Sequence, residues 1–274
     1  MSVQPAGRRA EGYAGIICDL DGTVYLSGRP FPGAVDALLA LRAAGVRVAF
    51  VSNNPLRTAE SYAERLTGLG IPTGPESVVT SGGVMASWLR TQLPGARVLL
   101  LGETSLRDEL RAAGVKLVER GGEAELVVAS FDRTFRYETW LEAFRALRGG
   151  ARFVATNPDR TCPVDGGEVP DAGGIIAALE TSTRREVEAV MGKPSPLMLA
   201  AALDCLGLAA AADQVLVVGD RLETDIELGH RGGLDTALVL TGVTDEEAAR
   251  VAEPHPTYVL PSLADLPALV VRPR

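Results

Sequence analysis

Short apolar runs recur along the chain, and between them apolar positions return every three or four residues. An unbroken apolar run suits a strand buried on both faces, and the longer repeat suits a helix with one buried face. Segments 15–18 (GIIC), 46–51 (VRVAFV) and 77–80 read as strands, and 34–44, 58–69 and 83–93 as the helices that follow them. In the first helix Leu38, Leu39 and Leu41 are expected on one side. This rhythm predicts a parallel sheet with helices on both faces. It continues through strands at 98–101 (VLLL), 126–130 (LVVAS) and 152–155, with helices at 106–113 and 137–147. Segment 157–174, rich in Pro, Gly and Asp, reads as a loop. Helices are then expected at 174–181 and 196–206, and strands at 214–218 (QVLVV), 236–240 and 257–260.

These are more strands than one domain of ordinary size uses. VAFVSNNP, ending at Pro55, and RFVATNPD, ending at Asp159, both place a hydroxyl residue and an Asn after an apolar strand. The echo suggests a second α/β unit in the middle of the chain. A length of 274 residues accommodates two modest domains and a substantial core.

The net charge of −8 comes with no basic cluster, which argues against a nucleic-acid partner. It reads as a hydrated surface, so an anionic substrate would need local cations or a metal. Cys18, Cys162 and Cys205 are odd in number and lack C-x-x-C spacing, which suggests neither a disulfide framework nor a zinc site. Cys18, inside GIIC, is expected to be a small buried hydrophobe. No apolar run approaches the roughly 18 residues of a membrane span. No signal-like stretch precedes Asp19, and the first dozen residues read as a mobile tail. With reduced thiols, this predicts a cytoplasmic protein without a membrane partner.

Four polar motifs interrupt the apolar runs. Asp19-Leu20-Asp21-Gly22-Thr23 follows GIIC directly. Its two carboxylates lie at a strand end, where open α/β sheets bind ligands. Unpaired charge there is costly, so a cation is implied, and hard oxygen ligands suit Mg²⁺. An Asp-Gly surface turn has the same composition. Ser52-Asn53-Asn54 follows VRVAFV and could cradle a phosphate, or simply cap a helix. Lys193 lies between Gly192 and Pro194, held out of a helix interior; its ammonium could neutralise phosphate or merely be solvated. Finally, Gly219-Asp220-Arg221-Leu222-Glu223-Thr224-Asp225 follows QVLVV. Asp220 sits at the strand end. Asp225 falls in the first turn of a helix expected to begin near Thr224, where negative charge is favourable and a plain cap is the other reading.

The four motifs in this order resemble the haloacid dehalogenase (HAD) superfamily, with its D-x-D-x-T, strand-end Ser or Thr, Lys and G-D-x-x-x-[TS]-D. CDLDGTVY, FVSNNP, ATNPD, GKPSPLM and VGDRLETDI are further similar to its NagD-like, p-nitrophenylphosphatase branch, a likeness running from Ile16 to about Thr244. The resemblance implies an α/β fold with a doubly wound, Rossmann-like parallel-sheet core over 1–92 and 190–274. An α/β cap domain would be inserted at 93–189. It also implies a Mg²⁺-dependent phosphatase for phosphate monoesters of small metabolites, of sugar, polyol, glycolate or nucleotide type. Asp19 would be the nucleophile, and Asp21 the acid and then the base. Mg²⁺ would be held by Asp19, the Asp21 carbonyl and Asp220, with Asp225 behind them. Ser52, Asn53 and Lys193 would bind phosphoryl oxygens.

Asp21 favours ester hydrolysis, because halide displacement needs no acid. Cap candidates for the leaving group are Asp132, Arg133, Asn157 and Asp159, all of which also suit ordinary turns. Relatives often dimerise through the cap, which allows a homodimer. An inactive or regulatory phosphate-binding protein on the same fold is the competing reading. Phosphonate cleavage would need a cap lysine, and Lys116 has no motif around it. His230 and His255 match no family position and read as a helix C-terminal and a loop residue.

Overall fold

The computed structural model describes residues 12–164 and 166–271. The tail expected over the first dozen residues lies outside them up to position 11. The chain divides into two units. One takes the described residues of Met1–Val51, Tyr62–Val79 and Leu199–Arg274, the other Ser52–Ser61 and Thr80–Met198.

The first unit is organised by a six-stranded sheet. Its order is Tyr258–Leu260, Asp235–Val239, Val215–Gly219, Gly15–Asp19, Arg47–Ser52, Val78–Thr80. The pairings from Tyr258–Leu260 through Arg47–Ser52 are all parallel. Every residue of Gly15–Asp19 and of Val215–Gly219 is buried, which is why both read as unbroken apolar runs. The register pairs Ile17 with Val217 on one side and Asp19 with Val51 on the other. Later strands fall on opposite sides of Gly15–Asp19, so Asp19 ends the strand at which the winding reverses. Open α/β sheets bind ligands at that point.

Leu38 and Leu41 of helix Ala34–Ala43 are buried, as expected, but Leu39 is 39% exposed. A residue next to Leu38 is turned about 100° round the helix, away from the face that the three-residue spacing selects. Cys18 is fully buried. His230 lies in the last turn of Glu227–Gly232, ahead of Gly233 at φ 67, and His255 lies outside any helix or strand.

The second unit has its own parallel sheet, ordered Ala189–Val190, Arg152–Ala155, Leu126–Ala129, Arg97–Leu101, Lys116–Val118. Its core packs Leu101, Val127 and Phe153 against Leu147 of helix Tyr137–Arg148 and Leu179 of helix Ala172–Thr183. Segment 157–174 is more than a loop. Thr161–Val164 and Gly167–Pro170 pair as an antiparallel hairpin, and helix Ala172–Thr183 begins inside the segment. Most of the hairpin is partly or fully exposed, so no apolar run announces it. Among the described residues, no helix is long and apolar enough to cross a membrane.

Candidate active site

The first unit gathers three of the expected carboxylates. Asp19 closes its strand, Asp220 follows Gly219, and Asp225 sits in a turn of π-helix, Leu222–Ile226. The helix expected near Thr224 therefore starts earlier and wider, and α-helical geometry begins at Glu227. Such wide turns are frequent at functional sites. One carboxylate oxygen from each of Asp19, Asp220 and Asp225 lies within 4.8 Å of the others, and all three residues are buried.

The backbone is packed tightly around this cluster. A Cβ on Gly22 would lie 2.5 Å from Asp220 Oδ2, and one on Gly242 would lie 1.9 Å from the same atom. A Cβ on Gly219 would fall 2.1 Å from Asp225 Cγ. Gly22 has a second reason to be glycine, its φ of 97°. Backbone N–H groups orient the acids. Val243 N–H donates to Asp220 Oδ2 at 2.8 Å, and Arg221 N–H to Asp225 Oδ2 at 3.1 Å. Thr241 Oγ1 donates to the Gly22 carbonyl at 2.6 Å, joining the loop after Asp235–Val239 to the loop after Asp19. Thr241 and Gly242 carry no charge and follow no motif, so the sequence reading missed them.

Asp21 is half-buried and pairs through a single bridge with Tyr25. The Leu20 carbonyl accepts from Thr23, Val24 and Tyr25 N–H, winding this loop back on itself. Tyr25 is fully buried, and Arg65 lies over its ring at 5.5 Å. Desolvation holds the Tyr25 phenol well above its ordinary pKa, and the Asp21 carboxylate pushes the same way. Thr23 Oγ1 and Tyr25 OH are buried without a hydrogen-bond partner among the described residues.

The second unit holds the remaining candidates. Ser52 ends the strand Arg47–Ser52, is 3% exposed, and its Oγ accepts from Asn54 N–H at 3.2 Å. Lys193 is equally buried. Asn53 accepts from Lys193 N–H at 2.7 Å through Oδ1 and donates to the Lys193 carbonyl at 3.0 Å through Nδ2. The same Nδ2 donates to Asp159 Oδ2 at 2.8 Å, and Asn157 Nδ2 donates to that oxygen at 3.0 Å. The two echoing motifs of the sequence thus meet on one carboxylate. Asp171, which the sequence reading did not single out, accepts from Asn157 at 3.0 Å and caps helix Ala172–Thr183.

Asp132 and Arg133 lie elsewhere in this unit. Asp132 Oδ1 accepts from Thr134 N–H and Oγ1, closing a turn. Arg133 makes a two-point pair with Glu103, Nε to Oε1 and one Nη to Oε2, both at 2.7 Å. That pair holds the Glu103 carboxyl below its usual range. Arg133, a leaving-group candidate from the sequence, has its guanidinium fork paired with Glu103 in this structure.

A family model described as haloacid dehalogenase-like hydrolase matches residues 16–116, and a HAD-hydrolase-like model matches 190–266. The chain is 40% identical over 256 residues to the sugar-phosphatase AraL of Bacillus subtilis, covering 93% of each. Among solved structures, p-nitrophenyl phosphatase from Archaeoglobus fulgidus superposes with a TM-score of 0.86 at 39% identity, covering 93% of this chain and 98% of that one. The glycerol phosphate phosphatase of Mycobacterium tuberculosis, in complex with magnesium, gives a TM-score of 0.84 at 39% identity, over 97% and 80% of the two chains.

Proposed function

We propose a function from one premise: this chain belongs to the haloacid dehalogenase-like hydrolase family. Within it, the chain is a phosphoric monoester hydrolase acting on small phosphorylated metabolites. Relatives named for sugar phosphate and glycerol phosphate support that class. The observation that carries the reading is the buried meeting of Asp19, Asp220 and Asp225. Three ionised carboxylates so close and so desolvated repel one another and are stable together only beside a cation. An all-oxygen donor set suits Mg²⁺, and the magnesium complex of the relative agrees.

Asp19 and Asp220 would hold the ion, with the Asp21 carbonyl and with Asp225 in support. When bound, it supplies positive charge against the phosphoryl oxygens and keeps Asp19 ionised. Asp19 then attacks phosphorus through a carboxylate oxygen. The new O–P bond forms as the ester P–O bond breaks, and Asp21 gives its proton to the departing alkoxide. Asp21, now a base, takes a proton from the water that attacks the aspartyl phosphate. Inorganic phosphate leaves and Asp19 is restored. Ser52 Oγ and the Lys193 ammonium bind phosphoryl oxygens. Positioning and charge neutralisation of this kind are most of what phosphoryl transfer requires.

The test is phosphate release from p-nitrophenyl phosphate and a panel of sugar, polyol, glycolate and nucleotide phosphates, with Mg²⁺ or with chelator. Wild type should turn over many times and stop in chelator. Asp19→Asn should lose at least ~10³-fold. No release by wild type from any ester in Mg²⁺ would sink the reading.

A further inference from the structure

We propose that Asp159 is a positioning residue for Lys193, acting through Asn53, and not a contact for the leaving group. The proposal rests on the phosphatase reading, in which Lys193 binds the phosphoryl group, and it assigns the device that holds that lysine in place.

Asn53 grips Lys193 by both of its main-chain polar groups. Its Oδ1 accepts from Lys193 N–H at 2.7 Å, and its Nδ2 donates to the Lys193 carbonyl at 3.0 Å. A primary amide has two hydrogens to give. The other goes to Asp159 Oδ2 at 2.8 Å. The reversed amide would set its oxygen against two acceptors and its NH₂ against a donor, so the surroundings permit one orientation only. Asp159 Oδ2 holds the amide in it from outside the Asn53–Lys193 pair. The Asn53 main-chain carbonyl is pinned as well, by Ser81 Oγ, which donates at 2.7 Å.

Asp159 is held in turn. Asn157, fully buried, gives its two amide hydrogens to Asp159 Oδ2 and Asp171 Oδ1, each at 3.0 Å. Its own oxygen lies 2.8 Å from Thr156 Oγ1. The Asp159 carbonyl accepts from Gly173 N–H at 2.8 Å, in the first turn of the helix that Asp171 caps. The carboxylate is therefore tied to a helix end on one side and to the lysine main chain on the other. Close packing completes the clamp. A Cβ on Gly192 would lie 2.5 Å from Asn53 Oδ1 and 2.8 Å from the Thr156 carbonyl. A largely buried network in which both amides give all their hydrogens has one low-energy arrangement, which is what a positioning device needs.

A positioning residue and a leaving-group contact predict different things. If Asp159 fixes Lys193, its loss weakens the hold on the phosphoryl group, which every ester shares. If it touches the leaving group, its loss re-ranks the esters.

The experiment compares wild type, Asp159→Ala and Asp159→Asn in kcat/KM for p-nitrophenyl phosphate, a sugar phosphate and a polyol phosphate. Inhibition by inorganic phosphate is measured alongside. Asp159→Ala should lower kcat/KM by about 30-fold on all three esters, equal within about threefold, and raise the phosphate inhibition constant in parallel. Asp159→Asn keeps an acceptor oxygen for both amides and should recover most of that loss. Unequal losses that reorder the esters overturn the proposal, as does an Asp159→Ala enzyme matching wild type. If Asp159→Ala does not fold, Asp159→Ser carries the same comparison of equal against unequal losses. If wild type releases no phosphate at all, the phosphatase reading fails by itself. Thermal stabilisation of each variant by inorganic phosphate with Mg²⁺ then decides whether Asp159 governs phosphate binding.

Discussion

Gly242 shows how single positions shape the acidic cluster. A Cβ there would meet Asp220 Oδ2 at 1.9 Å, while the neighbouring Val243 N–H holds the same oxygen at 2.8 Å. Gly242→Ala must therefore turn the Asp220 carboxylate or push the loop away from it. The Mg²⁺ concentration giving half-maximal phosphate release should rise at least ~10-fold, as expected when a ligand's supporting contacts are disturbed. Gly122→Ala is the control, because a Cβ there meets nothing within 4 Å, and its stability should stay within about 0.5 kcal/mol of wild type. A Gly242→Ala enzyme with the wild-type Mg²⁺ requirement would refute this. The sequence exposed Asp19, Asp220 and Asp225 because a carboxylate at the end of an apolar run is chemically conspicuous. Gly242 was invisible for the opposite reason: its importance lies in what stands beside it, 22 residues away along the chain. The Arg133–Glu103 pair was hidden likewise, since a lone arginine on a loop does not reveal its partner.

Helix Ser81–Gln92 begins on a weak first turn. Its first turn holds Gly82 and Gly83, each unfavourable in a helix by roughly 1 kcal/mol against Ala, so its expected start at 83 came two residues late. What starts the helix at Ser81 is Thr80, whose Oγ1 accepts from Gly83 N–H at 3.0 Å. With a weak first turn, the cap should matter. Thr80→Ala should cost about 1 kcal/mol in urea denaturation and Thr80→Ser less than half of that. Equal costs for the two would show that the lost methyl, not the cap, is responsible. The central strands of both sheets were readable because burial on two faces demands unbroken apolar runs. The edge strands Lys116–Val118 and Ala189–Val190 are three and two residues long and partly exposed, and the exposed hairpin carries no such demand. The π turn at Leu222–Ile226 was unreadable, because a single wide turn of five residues is too short to show a side-chain periodicity of its own.

At the level of architecture, the echo between the two Asn-bearing strand ends suggested a second α/β unit, but not that Asn53 and Asn157 both donate to Asp159 Oδ2. Nor did it reveal the charge conflict inside the second unit. Glu109, on helix Thr104–Ala112, faces the glycine turn at the start of helix Ser81–Gln92; a Cβ on Gly82 would lie 2.6 Å from Glu109 Oε2. That oxygen is buried without a hydrogen-bond partner among the described residues. Desolvation first, and the nearby Glu60 carboxylate second, push the Glu109 carboxyl up to about 7 from 4.5. Glu60 itself is held low, chiefly by its own backbone N–H and by Thr58, so it stays charged. The folded chain therefore keeps a proton on Glu109 between about pH 4.5 and 7 that the unfolded chain has lost. Stability must fall as pH rises through that window, because the folded state binds more protons there. The side chain is only partly buried, so the loss should be on the order of 1–2 kcal/mol rather than the full value of the shift. Gln at this position cannot ionise and should remove this component. The stability difference between Glu109→Gln and wild type should then move in favour of the variant between pH 4.5 and 8, whatever its offset at pH 4.5. Urea denaturation of both proteins at several pH values measures it. A difference that stays flat with pH would mean that Glu109 titrates as it does in the unfolded chain, and that the turn at Gly82 carries no such conflict.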